Sequence, residues 1–150
     1  MQTTHQEDTI KNRYLTFIID GEDYGIEIAY VKEIIPIQKI TKIPEMPEYI
    51  EGILNLRGDL IGVVDVRKRF SMIPKEYDED TCVIVIIYTD FTLGLIVDAV
   101  QETSTINEDR MSPPPSAKLS FANQFIRNIG RVGDEVKLLL DLEKFLDQSN

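Results

Sequence analysis

Apolar residues in this chain fall in short runs separated by turn formers, a rhythm of strands rather than long helices. YLTFII at 14–19 favours an extended backbone, Asp20-Gly21 supplies a turn, and YGIEI at 24–28 returns, which predicts a hairpin. In AYVKEII, Val31, Ile34 and Ile35 stand at helical spacing, predicting one short helix over 29–35 that Pro36 would end. Pro44 and Pro47 bracket a compact connection into ILNLR, and Gly58-Asp59 separates that stretch from LIGVVDV at 60–66. TCVIVIIY at 81–88 reads as a continuous apolar strand covered on both faces. TDF then gives a turn, and TLGLIVDAV at 92–100 resumes the sheet. VKLLLDL at 136–142 is the last expected strand, with EKFLDQSN behind it as a short capping helix or tail.

So many strands in so short a chain predict an all-β protein, a small barrel or a sandwich, because closure removes exposed edges. A parallel α/β sheet needs repeated helical crossovers, for which there is little room. Residues 104–120, STINEDRMSPPPSAKLS, are polar and carry Pro113–Pro115; they predict an excursion from the barrel surface, with the prolines as a rigid loop.

Composition narrows the functions. The 150 residues are 43% hydrophobic, enough for a packed core of one domain or of two small subdomains. Asp and Glu outnumber Lys and Arg by 26 to 16, for a formal charge of −10. Neither Lys11–Arg13 nor Arg67–Arg69 makes a basic face, so nucleic acid is not an expected partner. The apolar runs are far shorter than the roughly 20 residues of a spanning helix, and no basic N-terminus leads into an apolar stretch. Neither membrane insertion nor secretion is therefore expected. Cys82, the lone cysteine, sits in an apolar run as a packing residue.

Catalytic chemistry finds few starting points. His5 is the sole histidine, and no metal-binding spacing of His or Cys occurs, so neither metal nor cofactor is expected. Asp59, Asp65 and Asp98 each interrupt an apolar segment; a carboxylate pair among them would mark a small acid/base enzyme, against the simpler reading of strand-end carboxylates that accept local backbone bonds. The glycines form no phosphate cradle. Arg57 closes an apolar strand just before a turn, where neighbours can hold its guanidinium.

GILNLRGDLIGVVDVRKRF, residues 52–70, resembles the signature of the CheW-type chemotaxis coupling family, built on G-x-x-N-L-R-G followed by apolar residues and V-D-L-R. YLTFIIDGEDYGIEIAYVKEII resembles that family's opening, LGLIVDAVQETSTI its later V-D-x-V strand, and PPP, FIRNIG and LLLDLEKFL follow in the expected order. Gly62 stands where Pro is common, Val66-Arg67 replaces Leu-Arg, and Ala99 replaces Gly. The resemblance implies two intertwined five-stranded, SH3-like barrels with short helices over 13–147, between tails at 1–12 and 148–150. It implies a cytoplasmic, non-catalytic adaptor without cofactor, held at receptor arrays through protein contacts. Its partners would be chemoreceptor cytoplasmic tips, the regulatory domain of the histidine kinase CheA, which shares the fold, and CheW-like ring neighbours. An accessory adaptor of another two-component pathway has the same fold; an unrelated small-barrel binding module would lack the intertwined topology.

By the same resemblance, Val31, Glu33, Gly52, Arg57 and Val100 belong to a receptor-binding groove between the barrels. Glu33 and Arg57 are expected to form a bidentate ion pair on a semi-buried face, fixing the groove's geometry.

Overall fold

The structure, a computed structural model, describes residues 10–114 and 121–147. His5, Pro115 and the tail at 148–150 lie outside the described residues. The strands are β1 (Arg13–Ile19), β2 (Glu22–Glu27), β3 (Val31–Pro36), β4 (Ile50–Leu56), β5 (Asp59–Asp65), β6 (Cys82–Tyr88), β7 (Phe91–Val97), β8 (Ala99–Thr105), β9 (Met111–Ser112), β10 (Ile126–Val132) and β11 (Glu135–Leu140). Two one-turn helices, α1 (Val66–Arg69) and α2 (Leu142–Phe145), follow β5 and β11.

The fold is all-β and is divided between two compact units that the chain enters more than once. One takes the chain up to Phe17, Glu22–Ala29 and the chain from Gln101 on; the other takes Ile18–Gly21 and Tyr30–Val100. The strands pair in the orders β8-β1-β2-β11-β10-β9 and β3-β6-β7-β5-β4. Beyond the five strands expected per barrel, the first sheet gains the two-residue β9, which pairs with Ile129 and Gly130.

In the first unit, β11 runs parallel to β2 with Leu138 opposite Tyr24. Lys137 and Asp23, one residue earlier on each strand, form an ion pair at 2.9 Å that matches this register. Tyr14, Ile106 and Leu139 pack as its core cluster. In the second unit, Ile35, Leu54, Leu56, Ile61, Val63, Val83, Val85 and Ile96 fill the barrel. Val83–Ile86 are all buried, so β6 is covered on both faces, as its unbroken apolar run predicts.

Two-residue turns set the strand registers. Asp20-Gly21, Arg57-Gly58 and Thr89-Asp90 all have positive φ at both positions, the primed geometry that suits the right-handed twist of the flanking strands. Closure of the second barrel is a backbone event. Thr41 N–H donates to Ile53 O at 2.9 Å, and Ile53 N–H donates to Thr41 O at 2.8 Å, joining the chain after β3 to β4.

Three sequence expectations are corrected. Residues 29–35 form no α-helix: Ile28–Tyr30 make one 3-10 turn, and Val31–Pro36 are strand. Val31 pairs with Ile86 and Ile34 with Ile84, with the register shifting between Val31 and Glu33. That bulge inserts one residue, so two positions on one strand face stand three apart and imitate a helix. The stretch 92–100 is not one strand, because it breaks at Asp98 between β7 and β8. Nor does the chain leave the barrel at 104: β8 continues to Thr105, Ile106 is buried, and β9 returns to the sheet.

Candidate functional site

All five residues named by the resemblance belong to the second unit. Leu56 pairs with Asp59 across the Arg57-Gly58 turn, and the Asn55 side chain braces that turn by accepting from Gly58 N–H at 2.8 Å. Arg57 has φ 51°, a left-handed conformation that costs a residue with a Cβ about 1–2 kcal/mol. The strained turn aims its guanidinium at β3, where Nη2 donates to Glu33 Oε2.

The structure therefore brings Glu33 and Arg57 into direct contact. The pair differs from the expected form, being a single contact with the Arg57 side chain 66% exposed and that of Glu33 27% exposed. The hydrogen bond from Arg57 holds the Glu33 carboxyl below its ordinary value, and the same bond raises Arg57. Val31 precedes this pair on β3 and is half-buried.

Gly52 and Val100 stand apart from it. Gly52 lies beside the barrel closure, where a Cβ would come within 2.1 Å of Thr41 O. Its absent side chain lets two backbones approach. Val100 follows the Asp98 break, and its backbone N–H faces the Cys82 thiol. Cys82 is four residues from Ile86, the partner of Val31, or about 13 Å along the strand. Burial, then the charge of Asp80, raises the Cys82 pKa, which disfavours the reactive thiolate.

The bidentate pair occurs elsewhere, in a network the sequence reading missed. Arg67, at the start of α1, donates to Asp98 from Nε at 2.8 Å and from Nη2 at 2.7 Å. Its Nη1 donates to Ile73 O at 2.9 Å. Asp98 also accepts from Asp20 N–H at 2.8 Å, so one carboxylate joins the β1–β2 turn, the end of β7 and α1. Burial pushes the Asp98 carboxyl up; the Arg67 hydrogen bonds and the Asp20 amide outweigh it and leave the pKa lowered. The signal available in the sequence was the pair of motifs V-D-V-R and V-D-A-V, each with a charge set among apolar residues.

Of the other two candidate carboxylates, Asp65 has a local structural duty. Asp65 caps α1 by accepting from Lys68 N–H at 3.2 Å and also accepts from Tyr77 OH at 2.7 Å. Burial, reinforced by the bond to Asp65, pushes the Tyr77 pKa far up. Asp65 and Asp98 line a cavity of about 10 Å³, room for one water and not for a substrate. Asp59 is exposed. The basic run after Asp65 is engaged as well: Lys68 bonds Glu51 at 2.8 Å, and Arg69 lies over the Tyr49 ring at 4.6 Å. Among the described residues, no three His, Cys, Asp or Glu are grouped to hold a metal, and no helix is long and apolar enough to cross a membrane.

Two small all-β barrels, the second carrying a braced and exposed arginine, define the class of fold. A family model, the CheW-like domain, matches residues 13–150, and the chain belongs to that family. It is 32% identical over 139 residues to the chemotaxis protein CheW of Klebsiella aerogenes, covering 93% of this chain and 84% of that protein. Its identity to the Bacillus subtilis chemotaxis protein CheW is 30% over 138 residues, covering 92% and 88%. The solved structure of the scaffolding protein TtCheW from Thermoanaerobacter tengcongensis is similar at a TM-score of 0.79 and 36% identity, covering 86% of this chain and 88% of that one.

Proposed function

We propose that this chain is a non-catalytic coupling protein that joins chemoreceptor cytoplasmic tips to the regulatory domain of the histidine kinase CheA. It works by assembly at the inner face of the membrane, held there through protein contacts. The observation that carries this reading is Arg57. A charged residue kept at a strained φ, braced by Asn55 and steered by Glu33, is nonetheless two-thirds exposed. Strain of this kind persists where the surroundings over-determine it, and it collects at functional sites.

Arg57 sets the register of a receptor helix, and Glu33 holds the guanidinium in place. Val31 and Val100 supply apolar contact, and Gly52 acts indirectly by keeping the barrel closed. An exposed charge of this sort governs orientation and encounter more than raw affinity. Each contact is weak, and neighbouring sites in an array raise the effective concentration.

Replacing Arg57 with Asp should leave thermal unfolding unchanged, because the pair is solvent-exposed. Binding of a receptor cytoplasmic fragment should weaken roughly tenfold or more. Equal binding by parent and variant in a calorimetric titration would remove Arg57 from the interface. In a reconstitution of receptor fragment, kinase and this chain, receptor control of the kinase should require the chain; unchanged control without it overturns the coupling role.

A further inference from the structure

The first unit holds a cavity of about 390 Å³, lined by its own residues. Met111 on β9 and Leu139 and Leu140 on β11 give it an apolar wall. Its polar groups include Tyr14 on β1, Glu27 at the end of β2, and Arg127 and Asn128 on β10. Successive residues of a regular strand point to opposite faces, but β10 shifts register between Ile126 and Asn128. That bulge lets Arg127 and Asn128 line the same cavity.

These polar groups are left open. Tyr14 is only 8% exposed, yet its hydroxyl has no hydrogen bond among the described residues. Buried phenol hydroxyls normally find a partner. The charges that act on this one, Glu27, Arg127 and Glu108, all line the cavity, which sets the hydroxyl on its wall. Burial, with the charge of Glu27 added, pushes the Tyr14 pKa up and keeps the hydroxyl a donor. Arg127 and Glu27 face each other at 3.7 Å, an ion pair too long for a hydrogen bond. The Asn128 amide reaches only the Met111 sulfur, at 3.9 Å.

Charge selects the occupant. Of the basic residues at the lining, Arg13 is turned to the Thr103 hydroxyl at 3.4 Å. That leaves Arg127 and Lys11 against Glu27 and Glu108, charges of both signs around one space. A simple anion would meet the two carboxylates, and a simple cation would meet Arg127 and Lys11. A zwitterion satisfies both signs at once. The two poles of the Arg127–Glu27 pair are 3.7 Å apart, so the ligand's own charges must be as close together. An α-amino acid meets this condition, because its ammonium and carboxylate share one carbon. Ligand cavities begin at about 300 Å³, so there is room for a side chain of several carbons against the apolar wall.

We propose that this cavity binds a free α-amino acid with an apolar side chain. Arg127 and the Tyr14 hydroxyl take its carboxylate, Glu27 takes its ammonium, and Met111 and Leu139 contact its side chain. The proposal is independent of the coupling role.

The full chain is titrated by amide NMR at neutral pH with L-leucine, with leucinamide, which lacks the carboxylate, and with isocaproate, which lacks the ammonium. Leucine should shift resonances centred on Tyr14, Glu27 and Arg127, and each analogue should bind about tenfold more weakly or worse. Arg127→Gln should weaken leucine about tenfold and leave leucinamide unchanged; Glu27→Gln should weaken leucine similarly and leave isocaproate unchanged. Tyr14→Phe removes only an unpartnered hydroxyl, so it should melt like the parent and bind leucine severalfold more weakly. Arg57→Asp should bind leucine as the parent does, which separates this cavity from the Arg57 site. The absence of leucine-dependent shifts, shifts centred outside the cavity, or unchanged leucine affinity in Tyr14→Phe overturns the proposal. Isocaproate or leucinamide binding as tightly as leucine would make the cavity a site for a single charge and overturn it as well.

Discussion

Gly52 lies where two backbones meet. The carbonyl of Thr41 occupies the space a side chain would need, and the glycine holds φ at 151° while the strand register shifts between Ile50 and Gly52. Gly52→Ala should therefore destabilise the protein by about 2 kcal/mol or more, read as a lower urea midpoint, because Thr41 cannot retreat without losing the bonds that close the barrel. An unchanged midpoint would mean that closure at Thr41–Ile53 contributes little. The motif made Gly52 stand out, yet its reason was hidden, since Thr41 is eleven residues away in a segment with no strand pattern of its own. Arg57 and Glu33 were legible as charges set among apolar residues. Their exposure and single contact were not, because these depend on how far the turn leans toward β3.

Among the elements, the turns were the most readable. Asp20-Gly21 and the TDF turn fall where the sequence places them, because the chemistry of a two-residue turn is local. The bulge in β3 was unreadable for the opposite reason: partner strands create it, and in isolation its spacing looks helical. Asp98 links several elements at once, and that linkage has a pH signature. Its pKa is lowered in the folded state, so the stabilisation it brings is fully present above the unfolded value of about 3.9 and is lost as pH falls through the folded value. The urea midpoint of the parent should drop through this acid window. Asp98→Asn should be less stable near neutrality, with a flatter profile that converges on the parent in acid. Parallel profiles for the two proteins would show that the Arg67 fork adds no net stability.

Across the whole molecule, a formal charge of −10 repels itself over distances that salt controls. The Debye length falls from about 30 Å at 0.01 M to about 8 Å at 0.15 M salt. Exposed ion pairs contribute only about 0–1 kcal/mol each and weaken as salt rises, while the net repulsion is screened. The melting temperature should therefore rise with sodium chloride over this range by scanning calorimetry; a fall would show that the ion pairs dominate. The sequence by itself determined the all-β class, most strand positions, the turns and the family, because alternation, apolar runs and turn chemistry act between near neighbours. Tertiary structure alone decided the β3 bulge, the closure at Thr41 and Ile53, and the Arg67–Asp98 fork. Each of these joins residues distant in the chain, and their meeting is fixed by strand pairing and packing that no local pattern encodes.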